Sequence, residues 1–309
     1  MIEHKSVLLK ESIAGLNLQK DSIAVDATLG GGGHSYEIFQ IIGDSGKLIA
    51  IDQDKSAIES FKKKFPKKNA VELVQDNFSN IKDILSALKI ESVDGILADL
   101  GYSSIQLEDE KYGMSFLKDS PLDMRLNDSN ELTAKKVVNE YEQRDLERIF
   151  REYGEEKFAG KIAKIIVLER ASKKIESTFD LVEIIRQAIP EKFQHQKIHP
   201  ATKTFQALRI EVNEELNSLK KFVPAAINAL SRGGRLAIIS FHSLEDRIVK
   251  NIFKDLSVDC ICPPDFPICR CKHRATIKII TRKPIIPNAV EIEWNSRARS
   301  AKLRIVEKK

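Results

Sequence analysis

The stretch VDATLGGGGHS, Val25 to Ser35, decides the fold. Ile23-Ala24-Val25 is a short apolar run that reads as a buried strand. Asp26 follows it, and four consecutive glycines occupy Gly30 to Gly33. From His34 to Phe39 the pattern reads as the opening turns of a helix. Strand, glycine turn and helix form the βα unit that holds an adenosine-containing ligand at the carboxyl end of the strand. Glycine suits such a turn because it accepts positive φ and lets a ligand touch the backbone.

Working outward, KLIAID (Lys47 to Asp52) is a second apolar strand ending in an acid. Asp52 follows Gly33 by 19 residues, close to the roughly 20 expected of a carboxylate that accepts hydrogen bonds from ribose hydroxyls. A dinucleotide fingerprint needs G-x-G-x-x-G, and here Ser35 or Tyr36 fills the third slot. No Gly-Lys-Ser/Thr follows, which excludes a P-loop. S-adenosylmethionine, with adenine and ribose but no phosphate, fits what remains. The competing reading, a flexible turn between two core strands, leaves the placement of Asp52 unexplained.

At 309 residues the chain exceeds one typical domain. Its net charge of +5 is mildly basic and compatible with a polyanionic partner. No apolar leader-like segment and no run of 18 apolar residues is present, so neither secretion nor a membrane span is indicated.

His4 to Leu9 and the helix-like Lys10 to Leu16 precede the first strand and are expected to cover the ligand. Asp54 to Phe65 reads as a crossover helix and Val71 to Val74 as a third strand, with Asp76-Asn77-Phe78 at its end, bordering the adenine. Phe78 has an ordinary core reading as well. VDGILADLG (Val93 to Gly101) is a fourth strand, ending in Asp99-Leu100-Gly101-Tyr102-Ser103-Ser104. Enzymes that methylate an exocyclic base amine carry a carboxylate or amide and an aromatic at this strand end. The oxygens accept the amine protons and stabilise charge developing on nitrogen, and the aromatic stacks on the extruded base. Here Leu-Gly stands where those enzymes carry Pro-Pro, so Asp99, Tyr102 and Ser103 are the candidate catalytic residues beside the plainer reading of a strand-ending turn, and Asp99 reads either as a contact to the methionine part of the cofactor or as an acceptor of an amine proton.

The next convincing strand is RLAIIS, Arg235 to Ser240, and 134 residues separate Gly101 from Arg235. A single crossover needs only about 30. Leu146, Ile149, Phe150 and Tyr153 recur at helical spacing, as do Ile162, Ile165 and Ile166. Phe179 to Ile189 reads as a helix capped by Ser177 or Thr178, with Pro190 beyond its end. Tyr112 to Asn127 reads as a loop near the active site or a mere linker, and Thr204 to Glu215 as the start of a long helix back to the sheet. The division expected is 1–106 with 206–309 as the ligand-binding domain, and 107–205 as an inserted helical domain.

After the fifth strand, Ser243 with Asp246 reads as a helix cap; the functional reading is that His242 and Ser240 face the substrate pocket, with His242 a candidate catalytic residue. Cys260, Cys262, Cys269 and Cys271 lie within twelve residues. Four thiolates can hold Zn²⁺, yet one-residue spacing within each pair is tight, so structural metal and a reduced loop both stay open. Arg297, Arg299, Lys302 and Arg304 enrich a final alternating strand whose charges read as a solvated face or an RNA-phosphate contact.

HKSVLL, DATLGGGGHS, IDQD, DGILADLGYSSIQL, YGMSF with SPLDMRLN, TFQALRIEVNEEL, SFHSLEDRIVK and NSRARSAKLR, in this order, resemble the bacterial ribosomal RNA small-subunit methyltransferase H, or MraW, family. The resemblance implies an α/β class I SAM-dependent methyltransferase, a Rossmann-like doubly wound sheet with an inserted α-helical substrate-recognition domain. It implies N4-methylation of a cytidine in the decoding centre (P site) of 16S rRNA within the small ribosomal subunit, in the cytoplasm. Carried over, cofactor contacts fall on Gly32, Gly33, His34, Asp52, Phe78, Asp99 and Gln106, with no catalytic metal. Tyr102 and Ile105 depart from the family's usual aliphatic residue and proline. Oligomeric state, a homodimer included, is not readable from the sequence.

Overall fold

The structure, a computed structural model, describes residues 6–309 apart from 65–69, 102–109, 195–198, 264, 265, 267, 269 and 272. Tyr102, Ser103, Gln106 and Cys269 therefore lie outside the described residues. The chain forms two compact units, one of residues 1–101 with 216–309 and one of residues 102–215.

The first unit is built on a seven-stranded sheet of order β3-β2-β1-β4-β5-β7-β6. Its strands are β1 (Ile23–Asp26), β2 (Lys47–Asp52), β3 (Val71–Gln75), β4 (Val93–Asp99), β5 (Leu230–Ser240), β6 (Ile277–Ile279) and β7 (Lys302–Lys308). β1 to β5 pair in parallel, while β7 runs antiparallel between β5 and β6. The short edge strand β6 carries no clear sequence signal, being only three residues long. β5 begins at Leu230, five residues before the expected start, and its register with β4 shifts between Val93 and Gly95. The shift falls opposite the Gly233-Gly234 segment.

Both faces of the sheet are covered, which is why the central strands read as continuous apolar runs. Adjacent residues leave each strand in opposite directions. Ala24, Leu48 and Leu97 join Leu16 of α1 (Leu9–Leu16) and Ile38, Phe39 and Ile42 of α2 (Gly33–Ile42). Their neighbours Val25, Ile49 and Ile96 join the other face. There they meet α4 (Ile81–Ala87), α10 (Glu215–Ala229) and α11 (Ser243–Leu256) through residues such as Ile84, Phe222 and Phe253. The crossover α3 (Lys55–Lys64) packs Ile58 and Phe61 on Leu29 and Ala50.

In a sheet of this order, successive crossovers leave β1 on opposite sides: toward β2 and β3, then back across to β4 and β5. The cleft beyond the carboxyl ends of β1 and β4 is the topological switch point, where open α/β sheets bind ligands.

The second unit is helical: α5 (Ala134–Glu140), α6 (Gln143–Glu152), α7 (Ala159–Ser172), α8 (Thr178–Ala188) and α9 (Thr202–Val212). Leu146, Ile149 and Phe150 of α6, Ile162 and Ile166 of α7, and Leu181 and Ile185 of α8 share one fully buried core. Ser177 caps α8 in a reciprocal box with Asp180.

Two readings of this region are corrected. Tyr112 to Asn127 is no mere linker: Leu122 and Met124 enter the core, and the Asn213 side chain accepts the Leu126 N–H (2.9 Å) and donates to the Met124 carbonyl (2.8 Å). Nor does one long helix start at Thr204. It stops at Val212, Glu214 turns left-handed at φ 48°, and α10 starts afresh at Glu215. Asn213, caught between the two helices, uses its amide on the loop.

Candidate active site

The switch point is built by main chain first. Gly30 and Gly32 have φ of 49° and 81°, in the left-handed region. A Cβ on Gly32 would collide with the Phe61 ring, and one on Gly33 with the Ser6 hydroxyl. Glycine there lets the turn close and α2 start directly behind it. The Asp52 carboxylate then fixes the turn across the strands. It accepts the Gly30 N–H at 2.8 Å and the Asp54 N–H at 2.9 Å.

Three acids meet at these strand ends. Asp26 ends β1, Asp52 ends β2 and Asp99 ends β4. Asp26 is fully buried and accepts the Ser35 hydroxyl at 2.6 Å and the Thr28 N–H at 3.1 Å. The Thr28 hydroxyl in turn accepts the Asp99 N–H at 2.6 Å, so β1 and β4 are tied beside the turn.

Burial pushes the Asp26 carboxyl up to about 6, against the opposing hydrogen bonds. Burial also pushes Asp52 up to about 6, aided by the charges of Asp54 and Asp26. Asp99 stands well above the usual carboxylate range, through burial and then through repulsion by Asp26 and Glu245. Among the described residues its Oδ1 is buried with no hydrogen-bond partner, while Oδ2 lies 3.7 Å from Nδ1 of His34. His34 is buried at the head of α2, and its Nε2 lies 3.2 Å from the Val7 carbonyl. The segment before α1 thus reaches the site through main chain.

Gly32, Gly33, His34, Asp52 and Asp99 are brought together. Phe78 is placed just past β3 and packs edge-on against Phe222 at 5.0 Å between centroids, so part of its ring is committed to the core. At the same strand end, Asp76 donates its N–H to the Asp52 carbonyl (3.1 Å) and Asn77 bonds Gln53 (3.3 Å).

The expected cap of α11 is displaced by one residue. His242, not Ser243, is the N-cap: its Nδ1 faces the Glu245 N–H at 3.5 Å. The Glu245 carboxylate answers by accepting the N–H groups of Phe241 (2.8 Å) and His242 (3.2 Å). Nε2 of His242 lies 3.2 Å from Glu245 Oε1. The imidazole is held in the turn after β5. Ser240 is buried, its hydroxyl 3.4 Å from the Lys302 carbonyl.

Two of the tail's charges turn inward. Arg304 and Lys302 hold Asp246 at 2.6 and 3.1 Å, so these two cations serve the first unit's own packing. Arg297 and Arg299 lie in the single 3₁₀ turn before β7.

Sequence reasoning passed over Asp26, Thr28, Ser35 and Glu245. Asp26 was recoverable from its place at a strand end immediately before the glycines. Glu245 was recoverable as the acid three residues after His242, the spacing of a capping box.

With this geometry in hand, comparison with known proteins is direct. The MraW methylase family model matches residues 1–309. Ribosomal RNA small subunit methyltransferase H of Clostridium botulinum (strain Loch Maree / Type A3) is 55% identical over 306 residues, covering 99% of each chain. That of Halothermothrix orenii is 51% identical over 308 residues, covering 100% of this chain and 99% of the relative. Among solved structures, an rRNA methylase from Streptococcus thermophilus aligns with a TM-score of 0.44 at 12% identity, over 100% of this chain and 98% of that one. The chain belongs to the MraW methylase family and is an S-adenosylmethionine-dependent rRNA methyltransferase with the α/β class I architecture.

Proposed function

We propose that the enzyme methylates the N4 amine of a cytidine in the decoding centre of 16S rRNA, in the cytoplasm, and that residues 107–205 form the part that recognises the substrate. The observation that carries this reading is the convergence of Asp26, Asp52 and Asp99 at the switch point, with Asp99 Oδ1 buried and unpartnered among the described residues.

The charges acting on Asp99 come from two further acids, Asp26 and Glu245. A phosphate would be repelled there, whereas a ligand with a sulfonium, an ammonium and ribose hydroxyls supplies the missing cations and donors. Bound S-adenosylmethionine supplies a methyl group already activated by its sulfonium, so no strong base is called for. Asp52 is suited to the ribose hydroxyls, and its grip on Gly30 sets the glycine turn against which the nucleoside lies. Asp99 Oδ1 is suited to the ammonium of the amino-acid part. His34 stands on the other side of that carboxylate and limits its rotation. Phe78 offers the exposed part of its ring to the adenine, and Gln106 completes the cofactor contacts.

Tyr102 and Ser103 stand three and four residues after Asp99 in sequence, where a flipped base would meet an aromatic to stack on and an oxygen to accept an amine proton. The proposal for them rests on that position in the sequence. His242 enters as a positioning residue that fixes the turn after β5. Among the described residues no helix is long and apolar enough to cross a membrane. The family resemblance and that observation support a cytoplasmic site of action.

The test is label transfer from S-adenosylmethionine to small ribosomal subunits lacking the modification, followed by nucleoside mass spectrometry. N4-methylcytidine at one decoding-centre position is the expected product. Label in another nucleoside, or at a cytidine elsewhere, overturns the assignment. Light scattering on the same preparation checks whether the enzyme is a homodimer.

A further inference from the structure

Between α11 and β6 the chain carries cysteines for which methyl transfer has no use. The sulfurs of Cys260, Cys262 and Cys271 all lie within 4.8 Å of one another. Cys260 Sγ and Cys271 Sγ are 3.8 Å apart. A tetrahedral zinc with Zn–S bonds of about 2.3 Å sets two ligating sulfurs about 3.8 Å apart. A disulfide needs about 2.05 Å. The Cys260–Cys271 distance matches that of two ligands around an ion and is too long for a disulfide.

The main chain is arranged for thiolates as well. The Ile261 N–H points at Cys271 Sγ (3.5 Å), the Cys262 N–H at Cys260 Sγ (3.4 Å) and the Arg270 N–H at Cys262 Sγ (3.4 Å). Each of the three sulfurs thus receives a backbone donor. These donors explain how a one-residue spacing can work: the turn that brings the Cys262 N–H to Cys260 Sγ sets both sulfurs on one side. The base of the loop is tied independently. Asp259 accepts the Ala275 N–H at 3.0 Å, and the Thr276 N–H reaches the Leu256 carbonyl at 2.9 Å.

We propose that Cys260, Cys262 and Cys271 bind a structural Zn²⁺ as thiolates, each thiol releasing one proton, and that the ion braces the loop leading into β6. The fourth position goes to a donor that the experiment identifies.

Full-length protein without a histidine tag is purified under reducing, anaerobic conditions, and its zinc is measured by inductively coupled plasma mass spectrometry. About one zinc per chain is expected, falling at least tenfold in C262S and C271S. Metal-stripped protein titrated with Co²⁺ should show thiolate charge-transfer bands in the near ultraviolet and the intense visible bands of a tetrahedral ion. Comparing C269S and H273A in that titration identifies the fourth donor. Metal removal should lower the melting temperature while S-adenosylmethionine affinity, read by calorimetry, stays within about twofold. That result separates this site from the methyl-transfer site. The proposal is overturned if the reduced protein takes up neither metal. It is equally overturned if zinc persists in the C262S/C271S double variant, or if intact mass shows a disulfide in place of bound metal.

Discussion

Nδ1 of His34 and Oδ2 of Asp99 stand 3.7 Å apart at the head of α2, and they divide the Asp99 carboxylate into two unlike halves. Oδ2 has a ring nitrogen beside it. Oδ1 is buried and, among the described residues, has nothing to accept from. A buried acceptor left without a donor is costly, and such a group marks a candidate ligand contact.

Asp99→Asn therefore separates stability from function. Removing the charge relieves repulsion from Asp26 and Glu245, so the variant without cofactor should melt at or above the wild-type temperature. S-adenosylmethionine affinity should fall at least tenfold and methyl transfer at least a hundredfold, the scale of losing one well-placed electrostatic partner. Calorimetry and single-turnover label transfer on the same preparation check both. A variant that binds and transfers normally would remove Asp99 from the site.

Acidity should act on the empty and filled forms in opposite senses. Asp26 and Asp52 titrate near 6 in the folded chain against an ordinary 3.8. Between those values the folded state holds more protons than the unfolded one, so stability of the empty enzyme falls as pH rises through that window. On the proposed contacts, cofactor binding draws on the ionised carboxylates and should strengthen as pH rises through about 6. Melting curves with and without S-adenosylmethionine across pH 4.5 to 7.5 display the crossing. Parallel curves would contradict it.

Asp52→Ala loses a proposed ribose acceptor and also the acceptor of the Gly30 and Asp54 N–H groups. Affinity for the cofactor should fall by more than tenfold, while the far-ultraviolet circular dichroism stays that of the wild type. Asp52→Asn, which keeps one acceptor oxygen for the turn, should recover part of that affinity. Equal affinities for all three proteins would show that the carboxylate does not touch the ligand.

Asn213→Ala tests the helical unit. The amide is buried and bridges Leu126 and Met124, and its loss strands a buried N–H, at about 1–3 kcal/mol. Urea unfolding should show a loss of about 2 kcal/mol. Protease cleavage within residues 112–127 should quicken.

Arg304→Leu removes one partner of a mostly buried pair. Against the penalty of burial, hydrogen bonds from Arg304 and Lys302 hold the Asp246 carboxyl below its ordinary value. Breaking such a pair costs on the order of 3 kcal/mol. Chemical denaturation checks this. Unchanged stability together with weakened binding to ribosomal subunits would instead return Arg304 to the RNA-contact reading.

The parallel half of the sheet was legible because its strands are buried on both faces and read as apolar runs, three of them (β1, β2 and β4) ending at an acid. The helices of the second unit were legible from Leu146, Ile149 and Phe150 and their counterparts. What escaped depends on side chains meeting main chain across long sequence distances. Asn213 interrupts a helical pattern for the sake of residues 124 and 126, which no local periodicity registers. His242 takes the cap from Ser243 because Glu245 reaches back to the turn's N–H groups, although Ser243 with Asp246 fits the same spacing. Arg304 and Lys302 look like a basic tail in one dimension, and only the antiparallel return of β7 brings Asp246 to them. Within the site, Asp52 was legible from its spacing. The shared strain among Asp26, Asp52 and Asp99 needs three strand ends in one place.

The strand formed by residues 302–308 lies between two others that precede it in the chain, so a nascent polypeptide still short of those residues leaves β5 with an unpaired flank and β6 with no neighbour. Such a chain presents an open hydrogen-bonding edge to any other extended polypeptide. Ribosomes that stall late on this message would release an aggregation-prone fragment, and proteostasis machinery would meet it before any methyl group moved.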